Sequence, residues 1–463
     1  MKEFAIHNRQ AEMRAWTCRS LALQTLLAVE RETCFADEAF ARFAARAKLS
    51  HEDQALAFEL VYGVLRHRAT LDWQLNAVAS RPLDRLPAVV AAILRLGAYQ
   101  MRYLDRIPVS AAVNESVKLA KGIKGRDWRG VVNGILRNVH RTEIEWPEVA
   151  QDPVNGLSVT YSCPNWLTRR WIDRWGLETA EAMCRHTLTI PPLTLRTNTL
   201  RCSREQLETR LGEEGYAVSR TSVSPEGLIL EKCGSLQALP VLQEGWCYVE
   251  DEAAQLVPLL LDIRPGQRVL DACAAPGGKC SHIAALMQNK GEIVATDPEP
   301  RRLERLESNL RMLGITCVET CELSHETDHV SPWLHAQEVF DRILVDAPCS
   351  GLGVLRRHPE AKWQKTSAQL DWHGKRQSGI LERVAPYLRT GGVLVYSACS
   401  TEPEETTRVV SRFCQDHPEF SRESTARWLP PHAHSLTNPD GDFLTSSFRY
   451  NMDGFFAARL RRT

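Results

Sequence analysis

Two cysteines each follow an apolar run that is typical of a buried strand, and their thiols are the side chains best suited to nucleophilic chemistry. Cys349 lies in Asp346-Ala-Pro-Cys-Ser-Gly351, and Cys399 lies in Ser397-Ala-Cys-Ser400. Buried thiols usually act as small hydrophobic side chains, but two thiols in loops after strands of one sheet favour a nucleophile. A free thiol is only a few per cent ionised at neutral pH, so this role needs a nearby cation. The candidate cations are Lys279, Arg356 and Arg357.

A glycine-containing loop, Asp271-Ala-Cys-Ala-Ala-Pro-Gly-Gly-Lys279, separates a short apolar run from a helical pattern. The first N–H groups of such a helix lack intrahelical partners and form a positive dipole end. Gly277 and Gly278 have no Cβ, so a ligand can approach the main chain closely. The order of strand, glycine turn and helix is typical of a nucleotide-like cofactor site at the carboxyl edge of a parallel sheet. A glycine turn that binds nothing is the alternative.

Asp297 lies 19 residues beyond Gly278, directly after the strand-like run 293–296. An acid at this distance from a glycine loop, at the end of a strand, is placed to bind the two hydroxyls of a ribose. The glycine loop and an acid at this spacing therefore predict a binding site for a nucleoside more specifically than either feature does alone.

The elements that must position these residues belong to a long chain with a sizeable core. Its 463 residues are 43% hydrophobic, which is enough for two or three domains. No apolar run approaches the roughly 18 residues of a membrane span, and residues 1–9 lack the apolar region of a signal peptide. Fourteen scattered cysteines then indicate reduced thiols in the cytoplasm.

The front of the chain, residues 1–145, is predicted to be all helical. Apolar residues recur there at helical spacing, as in Val90, Ile93 and Leu94. Between residues 102 and 141, nine Lys and Arg stand against three acids, and Arg137 shares a helix face with Asn133 and Arg141. Such an excess is expected of a nucleic-acid-binding surface. A packing or docking domain with a polar surface is the alternative.

The middle and the back of the chain differ in pattern. Residues 143–157 suggest a linker, and residues 146–240 are expected to hold this linker and a small α+β module. In its strand 193–199, Arg196 and Asn198 would point to one face, either to contact a phosphate or base or as residues at the edge of a core. From residue 266 strands and helices alternate, so residues 241–463 predict a parallel, doubly wound sheet.

One set of residues resembles a zinc site. Cys317, Cys321, His325 and His329 are spaced four apart. Cys317 falls in a strand candidate, however, where residues four apart are separated by about 13 Å. We therefore expect no metal.

The motifs together resemble those of the RNA cytosine-C5 methyltransferases, and the resemblance covers nearly the whole chain. The catalytic motifs are Asp271–Lys279, Asp346–Gly351, Arg356-Arg-His-Pro359 with Lys362-Trp363, Tyr396–Ser400 and Asp453-Gly-Phe-Phe456. The front half resembles the NusB-like domain of the RsmB (Sun/Fmu) branch, on the motifs Tyr62–Arg66, Val113–Val117 and Val132–Arg137.

The resemblance implies an α/β, Rossmann-like S-adenosylmethionine-dependent methyltransferase domain with a doubly wound, mostly parallel sheet, preceded by an all-α NusB-like domain and a small α+β module. It implies that Cys399 adds to C6 of cytosine and that Cys349 assists release of the product. In the DNA cytosine methyltransferases the Pro-Cys thiol is itself the nucleophile, so this assignment depends on the presence of Cys399. The implied contacts to S-adenosylmethionine are Cys273, Ala274, Ala275, Pro276, Gly277, Gly278, Lys279, Asp297, Glu322 and Asp346. Asp346 is alternatively placed to bind the cytosine, and the family has Asp where this chain has Glu322.

The implied substrate is 16S rRNA, with cytosine 967 as the family target. The cytosine must be unstacked into the pocket, which favours a single-stranded or loop target. The catalytic motifs do not separate rRNA from tRNA, and it is the NusB-like front that favours rRNA. A NusB-like RNA-binding or assembly factor with an inactive catalytic domain is the alternative from a different functional class. No membrane partner is expected.

Overall fold

The structure is a computed structural model that describes residues 16–123, 125–231, 233, 236, 239–323 and 340–463. These residues form two compact units. The helical unit comprises the described residues up to Thr189 together with His358–Gln364, and the second unit comprises Ile190–Arg357 together with Lys365–Thr463.

Helices make up the helical unit, as predicted. They are α1 (Cys18–Glu32), α2 (Ala36–Ala47), α3 (His51–Arg66), α4 (Arg68–Val78), α5 (Ala88–Tyr103), α6 (Val109–Ala120), α7 (Arg129–Arg141), α8 (Pro153–Thr160) and α9 (Asn165–His186). Local sequence sets several helix starts, since Thr17 and Ser20 form a capping box on α1 and the Ser50 side chain accepts from Asp53 N–H on α3. The core of the unit includes fully buried Ile93 and Leu94, which confirms the helical periodicity.

The stretch expected to be a linker is partly helical. Residues 143–157 include the start of α8, where the Asp152 side chain caps the helix and Pro153 occupies its first turn. Both α8 and α9 belong to the helical unit, which extends to Thr189. The domain boundaries at 145/146 and 240/241 remain a proposal.

The second unit begins with the small α+β module. Its elements are β1 (Leu193–Thr197), α10 (Arg204–Glu213), β2 (Val218–Arg220), β3 (Gly227–Leu230), α11 (Pro240–Gln243) and β4 (Cys247–Val249). The strands form an antiparallel sheet of order β2-β3-β1-β4.

The larger sheet of the second unit and its helices follow. They are α12 (Glu252–Leu256), β5 (Arg268–Asp271), α13 (Gly278–Leu286), β6 (Glu292–Asp297), α14 (Pro300–Leu313), β7 (Val318–Glu322), β8 (Phe340–Asp346), α15 (Ala361–Gln364, in the helical unit), α16 (Ser367–Val384), β9 (Leu388–Ala398), α17 (Thr407–Asp416), β10 (Phe420–Glu423), β11 (Phe443–Leu444), α18 (Ser447–Tyr450) and β12 (Phe456–Arg462).

The strand order β10-β12-β9-β8-β5-β6-β7 places β5, the first strand of this sheet, in its interior, and β11 pairs with β12. Strands β5 to β9 are parallel, whereas β12 runs antiparallel to β9 and β10 antiparallel to β12. The chain therefore proceeds to one side of β5 through β6 and β7, and to the other side through β8 and β9. The predicted doubly wound, mostly parallel sheet is confirmed, and its switch point lies between the carboxyl ends of β5 and β8.

Arg196 and Asn198 are buried, and they contact protein groups. Arg196 donates to the Gly278 carbonyl at 2.9 Å and to Ser281 Oγ at 2.7 Å, and its guanidinium lies 3.3 Å from Glu250. Asn198 Nδ2 donates to the carbonyls of Gly245 and Leu313. Of the two alternatives for these residues, the structure favours the edge of a core, because both residues hold the module against the sheet domain.

The residues of the zinc-like set are only partly within the described chain. Cys321 lies in β7 and Cys317 directly precedes it, while His325 and His329 lie outside the described residues. Where the chain is described, it contains no group of three His, Cys, Asp or Glu placed to hold a metal ion. Among the same residues, no helix combines the length and the apolar character that crossing a membrane requires.

Candidate active site

Acidic residues end three neighbouring strands at one edge of the larger sheet. β5 ends at Asp271, β6 at Asp297 and β8 at Asp346, and the glycine loop and the loop of Cys349 start from this edge. Because the strands are parallel, their carboxyl ends meet on the side where open α/β sheets bind ligands.

The glycine loop is held by backbone and side-chain hydrogen bonds, and it borders a cavity. Ala274 N–H donates to the Thr296 carbonyl at 2.9 Å, and Arg302 and Asn309 each donate to a loop carbonyl at 2.8 Å. Gly277 has a φ of +109°, which a residue with a Cβ rarely adopts. A Cβ on Gly278 would lie 2.7 Å from Glu250 Oε1. The positive φ therefore requires glycine at position 277, and a Cβ at position 278 would displace the Glu250 carboxylate.

The cavity has a volume of about 210 Å³. Its lining combines the glycine loop with residues of β4, the residue after β4 and the end of β8: Tyr248, Val249, Glu250, Asp271, Cys273, Ala274, Ala275, Pro276, Gly278, Lys279 and Asp346. The structure thus brings most of the predicted cofactor contacts together.

Asp271 is a residue of the cavity that the sequence did not single out. Its side chain is buried, and no side chain among the described residues donates a hydrogen bond to either carboxylate oxygen. Burial and the nearby charge of Asp346 raise the pKa of Asp271 to about 7, although Lys279 acts in the opposite direction. A buried carboxylate of this kind is suited to a cationic ligand group. An acid directly before a glycine loop was the signal available in the sequence.

Lys279 and Asp346 form an ion pair in the cavity. Lys279 Nζ lies 2.7 Å from Asp346 Oδ2, and Ser397 Oγ donates to the other carboxylate oxygen at 2.7 Å. Burial acts to lower the pKa of Lys279, but the charges of Asp346, Glu250 and ionised Cys399 raise it above its usual value. Lys279 is therefore a cation in the cavity at neutral pH.

Asp297 and Glu322 are register partners at the ends of β6 and β7. Asp297 is buried, accepts from Glu299 N–H at 3.1 Å and lies 3.1 Å from Arg302. Burial raises the pKa of Asp297, and Arg302 opposes the shift. The Glu322 side chain is exposed, and neither residue lines the cavity itself.

The Sγ atoms of Cys349 and Cys399 lie 3.0 Å apart. This proximity follows from the parallel pairing of β8 and β9, whose ends carry the two loops. The neighbouring Cys399 thiol, burial and the Glu405 carboxylate raise the pKa of Cys349. Cys349 is therefore protonated at neutral pH.

Arg356 and Arg357, two of the cations predicted to assist a thiol, bind other groups. Arg356 Nη1 donates to Asn451 Oδ1, and Arg357 pairs with Asp251 and Asp453, each at 2.7 Å. The charge of Lys279, by contrast, interacts with Cys399.

Family models match three parts of the chain. Residues 258–461 match the family described as 16S rRNA methyltransferase RsmB/F, residues 17–141 match the NusB family, and residues 163–237 match the ferredoxin-like domain of RsmF/B-like methyltransferases.

Similar proteins extend the match over nearly the whole chain. The chain is 36% identical over 449 residues to the probable ribosomal RNA small subunit methyltransferase B of Synechocystis sp., covering 96% of this chain and 99% of that protein. It is 34% identical over 453 residues to the Bacillus subtilis protein of the same name, covering 97% and 100%. The chain belongs to the ribosomal RNA small subunit methyltransferase B family. A solved methyltransferase homolog protein from Pyrococcus horikoshii is 28% identical, with a TM-score of 0.57 over 67% of this chain and 99% of that one.

Members of the small subunit methyltransferase B family are S-adenosylmethionine-dependent rRNA methyltransferases, and the cavity of this chain fits that cofactor. Asp271 offers a buried carboxylate without a side-chain partner to an amino-acid ammonium group. Gly278, which has no Cβ, lines the cavity, and Asp297 ends the next strand, where a ribose is expected.

Proposed function

We propose that this chain transfers a methyl group from S-adenosylmethionine to C5 of a cytosine in 16S rRNA, cytosine 967 in the family, through a covalent bond between Cys399 and C6. The observation that carries the proposal is the pair of thiols 3.0 Å apart, at the sheet edge that also forms the cofactor cavity. An inactive catalytic domain would have no need for two adjacent thiols beside a lysine.

Cytosine C5 is too electron-poor to attack a methyl sulfonium unaided. The Cys399 thiolate adds to C6, and the electron pair of the C5–C6 double bond moves into the ring, so that C5 becomes the carbon of an enamine. S-adenosylmethionine supplies the electrophilic methyl group. A water molecule then takes the C5 proton, the C5–C6 double bond forms again, the C6–S bond breaks, and its electron pair returns to Cys399 as the thiolate.

Three side chains support these steps. The Lys279 ammonium stabilises the Cys399 thiolate by charge attraction. Asp346 already accepts one hydrogen bond on each oxygen, and each oxygen has room for a second donor. Asp346 can therefore accept from the amidine edge of the cytosine and favour thiolate addition. Cys349, adjacent to Cys399, assists release of the product.

The remaining predicted residues bind the cofactor. The loop residues Cys273 to Lys279 provide main-chain contacts, Asp297 binds the ribose hydroxyls, and Glu322 contacts the adenine. Cys273 and Cys280 serve as packing thiols, since burial raises the pKa of both. Asp271 joins the set as the partner of the amino-acid ammonium group.

The RNA is held in part by the helical unit. Arg137 and Arg141 are exposed on α7, and their charges would contact phosphates. An enzyme that acts on this rRNA is expected to work in the cytoplasm.

Bisulfite sequencing of total RNA from cells with and without the gene tests the substrate. A signal lost from 16S rRNA supports the proposal, whereas a signal lost from tRNA instead overturns the choice of substrate.

Transfer of labelled methyl groups by the purified protein tests the mechanism. The Cys399→Ala protein should be inactive, and Cys414→Ala, which removes a half-buried thiol on α17, should keep its activity. Transfer by Cys399→Ala would rule out the covalent bond to that thiol.

A further inference from the structure

The carboxylate of Glu405 connects the two loops that carry the thiols. Its Oε1 accepts a hydrogen bond from Ser350 N–H, and its Oε2 accepts from the hydroxyls of Ser350 and Ser400, each at 2.6 Å. Ser350 directly follows Cys349, and Ser400 directly follows Cys399. One carboxylate therefore holds the residue next to each thiol.

Glu405 is itself fixed to the strand that carries Cys399. It ends the 3₁₀ helix Pro403–Glu405, and its side chain is fully buried. Its backbone carbonyl accepts from the Tyr396 hydroxyl at 2.5 Å, and Tyr396 lies in β9. The carboxylate consequently has a defined position relative to β9, from which it can set the position of the Cys349 loop.

The loops have a second connection that does not involve Glu405. Gly353 N–H donates to the Cys399 carbonyl at 3.0 Å. A Cβ on Gly353 would lie 1.9 Å from the Gly454 carbonyl oxygen, so the backbone is closely packed here. The loops should therefore stay folded when the Glu405 carboxylate is changed, and the effect of the change can be measured on an intact site.

The three donors to Glu405 are uncharged, and burying a carboxylate is costly even when it is hydrogen-bonded. A neutral side chain could join two loops without that cost. The negative charge of Glu405 acts on Cys349, because it raises the pKa of that thiol together with the Cys399 thiol and burial. Geometry and charge thus both act on the thiol pair.

We propose that Glu405 is a positioning residue that holds Cys349 and Cys399 at the separation that the reaction requires. The inference rests on the roles proposed above for the two thiols. Glu405 touches neither RNA nor cofactor in this account, and it acts through Ser350 and Ser400.

Glu405→Gln in the full-length protein tests the inference. The amide keeps the size of the side chain but loses the charge and one acceptor, so kcat for methyl transfer should fall about 100-fold. The KM values for RNA and S-adenosylmethionine should stay within about twofold. Glu404→Gln is the matched control. Glu404 is adjacent to Glu405 in the chain but pairs with the exposed Arg408, so the kcat of the Glu404→Gln protein should be unchanged. An unchanged kcat in Glu405→Gln, or a raised KM alone, would overturn the inference.

Two serine variants separate positioning from a general loss of stability. Ser400→Ala removes the bond on the Cys399 side and should slow formation of the covalent RNA adduct. Ser350→Ala removes a bond on the Cys349 side and should slow adduct release, so that adduct accumulates. If both variants changed adduct formation and release in the same way and had equally lowered melting temperatures, Glu405 would have a structural role only. These variants also carry the test if Glu405→Gln does not fold.

The separation of the thiols can be measured without RNA. Oxidised glutathione converts the two thiols to a Cys349–Cys399 disulfide, and each disulfide formed releases two reduced glutathione molecules. Peptide mapping after equilibration gives the effective concentration of one thiol at the other. This effective concentration should fall at least about tenfold in Glu405→Gln, because a shift of the loops moves the two thiols apart. An unchanged effective concentration would overturn the positioning role. Because this measurement needs no methyl transfer, it separates failure of this inference from failure of the proposed function.

Discussion

The Sγ atoms of Cys349 and Cys399 lie 3.0 Å apart, although fifty residues separate them in the chain. β8 and β9 are parallel neighbours with Asp346 opposite Ser397, so both loops leave the sheet at the same level. This geometry places two thiols side by side, as the proposed division into a nucleophile, Cys399, and a release thiol, Cys349, requires.

Cys349→Ala should trap the covalent RNA adduct. Without the second thiol, product release should slow by about 100-fold, the usual size of a proton-transfer contribution. Denaturing gels with labelled RNA and unlabelled S-adenosylmethionine will show a retarded protein–RNA band. The double variant Cys349→Ala/Cys399→Ala is the control and should give no band. Absence of the band from the single variant would contradict the role of Cys349.

Asp271→Asn should remove a pH dependence of cofactor binding. The pKa of Asp271 is raised to about 7, and an ammonium group favours the ionised carboxylate. Binding therefore releases a proton below about pH 7, and affinity should rise with pH up to that point. Calorimetry at about pH 6 and about pH 8 on both proteins isolates the residue, since ionisation of the ligand cancels in the comparison. Equal pH dependence in the two proteins would contradict the contact.

The parts of the fold that could be predicted are those that depend on residues close together in the chain. The strand, glycine turn and helix at Asp271–Lys279 depend on residues that are adjacent in the chain, and so does the helical periodicity of α5 and α7. The shared edge of Cys349 and Cys399 followed from two strand-loop patterns, given that alternating strands and helices form parallel sheets.

The parts that could not be predicted depend on distant partners. Arg196 was an equally good candidate for a phosphate contact until its acceptor proved to be the Gly278 carbonyl, 82 residues away. Glu405 carries no motif, and its importance rests on two serines that only the sheet brings together. Gln364 likewise donates to the Val29 carbonyl across 335 residues, which makes 358–364 part of the helical unit.

Arg137→Ala should weaken RNA binding in a manner that depends on salt. Its guanidinium is exposed on α7, and each phosphate contact removed should lower the slope of log affinity against log salt by about 0.7 to 0.9. Filter binding at several salt concentrations measures the slope. Arg196→Met is the matched control, because this arginine is buried against protein and should change thermal stability without changing the slope. The opposite pattern would place the RNA contact at Arg196.

Lys362→Met should change the pH dependence of stability of the helical unit. Lys362 is fully buried and donates to the Arg66 carbonyl at 3.0 Å, and burial lowers its pKa to about 8. Between this value and the ordinary pKa near 10.4, the unfolded chain binds more protons than the folded one, so stability rises with pH. The full pKa shift lowers the free energy of unfolding by about 3 kcal/mol at neutral pH. About 2 kcal/mol of this loss is recovered when the pH rises to about 9.5.

Methionine removes the charge but keeps most of the volume, so Lys362→Met should be more stable than the wild type at about pH 7. That advantage should narrow by about 2 kcal/mol at about pH 9.5. Urea unfolding of both proteins at the two pH values measures the difference. Lys118→Met, at an exposed position on α6, is the control and should show no such change. A difference between wild type and Lys362→Met that is constant with pH would mean that Lys362 keeps an ordinary pKa in the folded protein.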